Sequence, residues 1–365
     1  MLRAGLRSFA SAEAAVQASN HGLVCSVTLN RPKALNSLNL PMVHDLQNLV
    51  EKWNKDTATR VTLFRGLGTM AFCAGGDVRA LYNAGKGEAD RSILKDFFWH
   101  EYILDYALTT MRPIQVVVYN GIVMGGGVGI SIHAPIRIAT EAAVFAMPET
   151  AIGFFPDVGG SFFLPRLAKG LGFYFGLTGM RLQGKQLVSA GLATHYMTND
   201  KFDKLKEALI AKVTATSTIA EVTALVDELA EPVTEPLPQL NLIEQVFGAP
   251  KSVEEVWENL QKMGDEWAAK RLAALTYASP LSQKVVFEQI KRGEKLSLQG
   301  CFTQEFRLSQ QFVNGKDFYE GVRASLVEKD QKPLWQFKTL AEVPDALVQS
   351  YFEKLAPEQE DLLVR

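Results

Sequence analysis

Apolar residues change their spacing along the chain, and each change marks an element. Residues 23–29 form a short apolar run that reads as a strand and stops at Arg31-Pro32. Residues 41–55 follow helical spacing, with Val43, Leu46, Leu49, Val50 and Trp53 recurring at threes and fours. A strand is predicted at 61–64. A longer helix is predicted over 92–111, its stripe running through Phe97, Ile103, Leu104 and Leu108, before Pro113 opens a buried-looking strand at 114–119. Short strands are expected at 136–139 and 143–146. Strands separated by helices imply an α/β organisation. From about Phe162 helical spacing dominates, clearest at 266–275, 281–291, 301–313 and 318–328. The acidic, proline-bearing stretch 228–238 is the best linker candidate. The expected organisation is a leader over 1–20, an α/β core over 21–230 and a helical region over 231–365.

The 365 residues are 47% apolar and 21% charged, an ordinary globular balance. A net charge of −2 offers no field for nucleic acid or an anionic membrane, so any phosphate-bearing ligand must be met by local basic groups. No apolar run approaches the roughly 18–20 residues that span a bilayer. Cys25, Cys73 and Cys301 are scattered and suit a reducing compartment, while the histidines show no metal-ligand spacing. Neither disulfides nor a metal is expected. Residues 1–20 hold Arg3 and Arg7 but no acid before Glu13, and are rich in Ala and Ser. On a helix Leu2, Leu6 and Phe9 share a face beside the arginines, the pattern of a mitochondrial transit peptide. A matrix location is the expectation, and a plain N-terminal extension is the simpler alternative.

Three segments carry candidate chemistry. In Cys73-Ala74-Gly75-Gly76-Asp77 the glycines allow a positive φ and a close backbone approach, and Asp77 suits a helix cap. A tight strand-to-helix turn accounts for the same residues. In Asn120-Gly121-Ile122-Val123-Met124-Gly125-Gly126-Gly127-Val128-Gly129 the glycine triplet follows a strand and should open a helix, where unpaired N–H groups suit an oxyanion or phosphate. Ile130 stands where a dinucleotide fingerprint needs glycine, and no GK[ST] follows. The third segment runs from Met147 to Gly160. Pro148, Gly153 and Pro156 forbid a regular helix there, so a loop can fold back and join Glu149 to Asp157. Carboxylates among apolar neighbours and glycines are uncommon unless hydrogen-bonded or functional. Ser161 does not meet GxSxG, because Phe163 replaces the last glycine.

Together these segments resemble the crotonase (enoyl-CoA hydratase/isomerase) superfamily, over roughly residues 20–340. The resemblance implies a crotonase-like ββα spiral core with a helical C-terminal region. It implies that the signature Leu29-Asn30-Arg31-Pro32-Lys33-Ala34-Leu35-Asn36 lies along coenzyme A, with Lys33, Ala34 and Leu35 in contact. By position, the N–H groups of Gly76 and Gly126 correspond to the oxyanion hole, where each donor is worth roughly 3–4 kcal/mol. Hydratases of the superfamily place a glutamate where this chain has Gly129 and a glycine where it has Asp157, so the Glu149–Asp157 pair resembles the hydroxyacyl-CoA hydrolase branch instead. The runs 97–102, 147–165, 305–309, 317–324 and 329–333 are similar to that branch as well.

The implied reaction is hydrolysis of (S)-3-hydroxyisobutyryl-CoA to 3-hydroxyisobutyrate and CoA, a step of valine breakdown. Glu149 attacks the carbonyl or activates a water, and the sequence does not separate the two. Asp157 orients the substrate hydroxyl or assists proton transfer, and Glu101 matches a further active-site carboxylate expected to contact that hydroxyl or orient Glu149. A lone Glu on an amphipathic helix is more often solvated or paired. His100 and His133 match no catalytic position. No cofactor is expected beyond the CoA of the substrate. Superfamily members often assemble as trimers or hexamers, which makes a homo-oligomer an expectation, although the helical C-terminal region could cover those surfaces. The rival readings are hydratase or isomerase activity, a preference for 3-hydroxypropionyl-CoA, and a non-catalytic relative recruited to a mitochondrial ribosome.

Overall fold

The computed structural model describes residues 14–356 and 360–364. The chain forms two compact units, each assembled from several stretches of sequence. One comprises the residues up to Gly76 with Ala107–Phe145 and Leu182–Leu237; the other comprises Asp77–Tyr106, Ala146–Arg181 and the chain from Pro238. The units therefore interleave along the chain, whereas the sequence suggested one passage from core to helical region near residue 230. Apolar periodicity reports local elements and carries no information about which distant stretches pack together.

The first unit is built on strands β1 (Val16–His21), β2 (Val24–Leu29), β3 (Val61–Gly66), β4 (Ala71–Cys73), β5 (Ile114–Tyr119), β6 (Ile122–Met124), β7 (Ile136–Ala139), β8 (Val144–Ala146), β9 (Leu182–Gln183) and β10 (His195–Tyr196). One sheet has the order β1-β2-β3-β5-β7-β10 and the other β4-β6-β8-β9. β1 and β2 are antiparallel, while β2, β3, β5, β7 and β10 run parallel. All six residues of β5 are buried, as expected for a parallel strand covered on both faces. On one face Val61, Leu63, Val116, Val118, Ile136 and Ile138 pack with Leu205, Leu209, Val222 and Val226 of helices Phe202–Lys212 and Ile219–Asp227. Helix α1 (Leu40–Lys55) buries Met42, Val43, Leu46, Val50 and Trp53, and Asn39 caps it by accepting from the Met42 N–H. Trp53 meets Phe64 of β3 edge-on at 6.2 Å.

β1 occupies residues that the sequence assigned to the leader. Val16 pairs with Leu29 and Asn20 with Cys25, and the Asn30 N–H donates to the Ala15 carbonyl at 2.7 Å. An edge strand needs little apolar content, so VQASNH disguised it. The rest of the leader, residues 1–13, lies outside the described residues.

The second unit is mainly helical. It contains α2 (Val78–Gly85), capped by Asp77, and most of α3 (Ile93–Thr110). It also holds helices Glu266–Tyr277, Pro280–Gly293, Leu298–Asn314 and Asp317–Val322. These match the four C-terminal helical stretches within a few residues, except that the last gives way to a π turn at Arg323–Val327. No described helix is long and apolar enough to cross a membrane.

Candidate active site

In the sheet unit the two glycine bends are neighbours for a topological reason. β4 and β6 are adjacent parallel strands, with Ala71 paired to Ile122 and Cys73 to Val123, so the turns that follow them emerge at the same end. Gly75 sits at φ 109°, which a residue with a Cβ rarely adopts. A Cβ there would lie 3.4 Å from the Met124 carbonyl oxygen and 3.8 Å from the Gly126 nitrogen. At Gly127 a Cβ would overlap the Cys73 carbonyl. Close approach of the two bends thus accounts for the glycine triplet, and leaves the Gly76 and Gly126 backbones bare. Gly126 is the first residue of the short helix α4 (Gly126–Gly129), whose returning bonds run from Val128 and Gly129 to the Gly125 carbonyl at 2.7 and 3.1 Å. Its own N–H has no acceptor within the helix.

The segment read as a coenzyme A signature is tied to the first bend. Residues Pro32–Ala34 make a 3-10 turn, and Leu35 and Asn36 follow at φ 51° and 56°. Asn36 holds this shape: its Oδ1 accepts from the Arg31 N–H at 2.9 Å and its Nδ2 donates to the Ala71 carbonyl at 2.8 Å. The Ala74 N–H donates to Leu35 O at 3.1 Å, and the Leu38 N–H to Gly75 O at 2.8 Å. Lys33 is exposed on the turn beside half-buried Ala34 and Leu35.

In the helical unit the structure gathers carboxylates. Glu149 opens the 3-10 turn Glu149–Ile152 directly after Pro148. The chain returns through Phe154, whose ring stacks on Phe98 at 5.4 Å and meets Phe312 at 5.6 Å, and Phe155, which stacks on Phe312 at 5.4 Å. This aromatic packing draws both acids out of water: Glu149 is 6% exposed and Asp157 5%. Asp157 Oδ2 accepts from the Tyr102 hydroxyl at 2.8 Å. Tyr102 lies on α3 between Glu101 and Asp105, which are buried as well. Glu149 Oε2 and Glu101 Oε1 are buried with no hydrogen-bond partner among the described residues.

Burial and mutual repulsion govern these groups. Glu149 is pushed well above the ordinary carboxyl range, first by burial and then by the Asp157 charge. Glu101 is raised likewise by burial, Asp157 and Asp105. Burial lifts Asp157 to about 7, with the Tyr102 hydrogen bond acting in the opposite direction. Carboxyls raised together keep their protons to higher pH than free ones, and their titration steps belong to the group rather than to single residues. Such a cluster can store a proton and release it to a ligand.

Residues given no role in the sequence reading complete the cluster. Tyr102 and Asp105 belong to α3, and Glu305 on helix Leu298–Asn314 is wholly buried and raised to about 8, chiefly by burial. Tyr102 and Glu305 stood in runs similar to the hydroxyacyl-CoA hydrolase branch, while the only signal for Asp105 was its place on a helix beside Glu101. His100 is half-buried, while His133 is lowered to about 4 by burial and the Arg137 charge and so is neutral at physiological pH. Ser161 Oγ accepts from Gln289 Nε2 at 3.0 Å and Gln304 Nε2 at 3.3 Å, an arrangement without the histidine a serine nucleophile needs. Among the described residues no cluster of His, Cys, Asp or Glu is arranged to hold a metal ion.

A family profile described as Enoyl-CoA hydratase/isomerase matches residues 24–352. The chain is 45% identical over 336 residues to a Danio rerio protein named 3-hydroxyisobutyryl-CoA hydrolase, mitochondrial, covering 90% of this chain and 87% of that one. A Dictyostelium discoideum protein of the same name is 43% identical over 365 residues, covering 97% and 96%. Among solved structures, a carnitinyl-CoA dehydratase from Mycobacterium thermoresistibile matches with a TM-score of 0.86 at 35% identity, covering 94% of this chain and 98% of that one.

Proposed function

The chain belongs to the enoyl-CoA hydratase/isomerase family, and from that premise we propose that it hydrolyses the thioester of 3-hydroxyisobutyryl-CoA, releasing 3-hydroxyisobutyrate and CoA in valine breakdown. The observation that carries this reading is the buried acid cluster, in which Glu101 Oε1 and Glu149 Oε2 have no hydrogen-bond partner among the described residues. A buried acceptor without a donor costs about 1–3 kcal/mol, so a ligand that brings donors is favoured. The substrate hydroxyl is one such donor, and an attacking water is another. A site built for that hydroxyl rejects the analogue lacking it.

In the proposed roles, the Gly76 and Gly126 N–H groups take the negative charge that develops on the thioester oxygen. Glu149 acts on the carbonyl carbon by one of two routes. As nucleophile its oxygen bonds to carbon, the C–S bond breaks, and water then cleaves the mixed anhydride. As base it takes a proton from water, whose oxygen makes that bond instead. Asp157, near neutrality, supplies the proton that the CoA thiolate accepts on leaving, and Glu101 receives the substrate hydroxyl. Lys33, Ala34 and Leu35 lie along the CoA moiety. No cofactor enters beyond that CoA.

The relatives carry mitochondrial names, and we place this protein in the matrix, with leader cleavage ahead of Ala14 so that β1 is kept. A homo-oligomer is part of the proposal, and sedimentation of the purified protein at several concentrations checks it. The function itself is tested by CoA release from 3-hydroxyisobutyryl-CoA, 3-hydroxypropionyl-CoA and isobutyryl-CoA. The expected result is fast release from hydroxylated thioesters and little from isobutyryl-CoA. Release from none of them overturns the reading; hydration of an enoyl-CoA would point to hydratase chemistry, and no turnover of any acyl-CoA to the ribosomal role.

A further inference from the structure

The turn that carries Asp157 is backbone-strained. Val158 follows at φ 52°, a left-handed conformation that a β-branched residue adopts only under constraint, and Gly159 continues at φ 88°. Aromatic packing seats Phe154 and Phe155 but does not reach past Asp157. Glu305 does. This residue, wholly buried on helix Leu298–Asn314, accepts from the Gly159 N–H through Oε2 at 2.8 Å and from the Ser161 N–H through Oε1 at 2.7 Å. Gln289 Nε2 donates to the Pro156 carbonyl at 2.6 Å and to Ser161 Oγ at 3.0 Å, so the backbone is held on both flanks of Asp157.

Chemistry distinguishes this clamp from ordinary packing. Two N–H donors, one on each oxygen, match an acceptor-only carboxylate. A glutamine in the same place would set its own N–H against one of them. A buried carboxylate is also costly to desolvate, and mere space-filling does not call for one. Its charge acts on Tyr102 and Asp105 from α3 and on Cys301 one turn earlier on its own helix, and the Asp157 charge in turn raises Glu305.

We propose that Glu305 is a positioning residue for the hydrolysis: it clamps the strained 157–161 turn and thereby fixes Asp157 against the Tyr102 hydroxyl. The inference rests on the role given to Asp157 above. Glu305 touches no substrate; it acts through the turn.

The test is E305Q, which keeps size and removes the charge. Misplacing a proton-transfer group is expected to lower kcat by about 10–100-fold, with KM changed by no more than roughly twofold because binding groups are untouched. The limb of the pH–rate profile that Asp157 sets should move to higher pH, since an Asp157 no longer fixed against Tyr102 loses the hydrogen bond that holds its carboxyl down. Backbone amide exchange at Gly159 and Ser161 should speed up relative to the flanking amides. Wild-type kcat with an unmoved profile overturns the proposal. So does a loss shared by kcat and KM with the profile unmoved, which is the mark of a scaffold residue. If E305Q does not fold, the wild-type protein decides. Protection of the Gly159 and Ser161 amides should rise as pH passes about 8, where Glu305 ionises, and constant protection refutes the clamp. A wild-type protein that releases no CoA sinks the hydrolase reading by itself, and the exchange experiment then still tells whether the clamp exists.

Discussion

Replacing Tyr102 by phenylalanine removes one hydroxyl from a buried site and leaves the ring packing in place. Its O–H donates to Asp157 Oδ2 at 2.8 Å, and this bond is the largest influence holding Asp157 down against burial. A hydrogen bond to an ionised acceptor contributes about 1.5–3 kcal/mol, and one between neutral groups about 0.5–1.5 kcal/mol. The difference, about 1–1.5 kcal/mol, is roughly one pKa unit. Asp157, already at about 7, should therefore titrate about one unit higher in Tyr102→Phe. Stability follows with a definite sign. A carboxyl whose folded pKa is raised contributes stability that is complete below its unfolded pKa, near 4, and is lost as pH climbs through the folded value. The variant raises that folded value further, so its deficit against wild type should be larger at pH 9 than at pH 5 by about 1 kcal/mol. Urea denaturation at the two pH values measures this, and the pH profile of CoA release measures the shift in the Asp157 limb. Superimposable profiles together with an equal stability deficit at both pH values would refute the coupling of Tyr102 to Asp157.

Glu149→Gln is isosteric and should lower turnover by about 10²–10⁴-fold while calorimetric binding of CoA persists; unchanged kinetics would reassign the reacting carboxylate. A single turnover in ¹⁸O-labelled water should place label in the Glu149 side chain if it is the nucleophile and water cleaves the anhydride at the Glu149 carboxyl carbon, whereas the base route labels only the product; mass spectrometry of the peptide reads this directly. Gly127→Ala drives a Cβ into the Cys73 carbonyl and should destabilise the protein by about 3 kcal/mol, seen as a lower urea midpoint. Deleting residues 1–20 removes most of β1 from its pairing with β2, so Tm should fall by several degrees.

Much of the architecture is legible in the chain because burial leaves a periodic trace. The helix expected over 41–55 is Leu40–Lys55, and the strand at 114–119 is β5. The glycine bends could be read because close approach leaves few other residues available. α3 shows where this reasoning fails. Its apolar stripe was drawn through Ile103, yet Ile103 is only half-buried, whereas Glu101 and Asp105 are buried. Periodicity assumes that acids face water, and a cluster of buried acids breaks the assumption.

The sequence by itself determined the longer helices, the buried strands and the glycine bends, because each depends on local sterics and on the spacing of apolar side chains. Tertiary structure alone decided which acids share an environment. Glu305 meets the amides of Gly159 and Ser161, 146 and 144 residues away along the chain, and no local pattern encodes such a pairing. The raised pKa values have the same origin, since desolvation is a property of everything packed around a carboxyl and not of its neighbours in sequence.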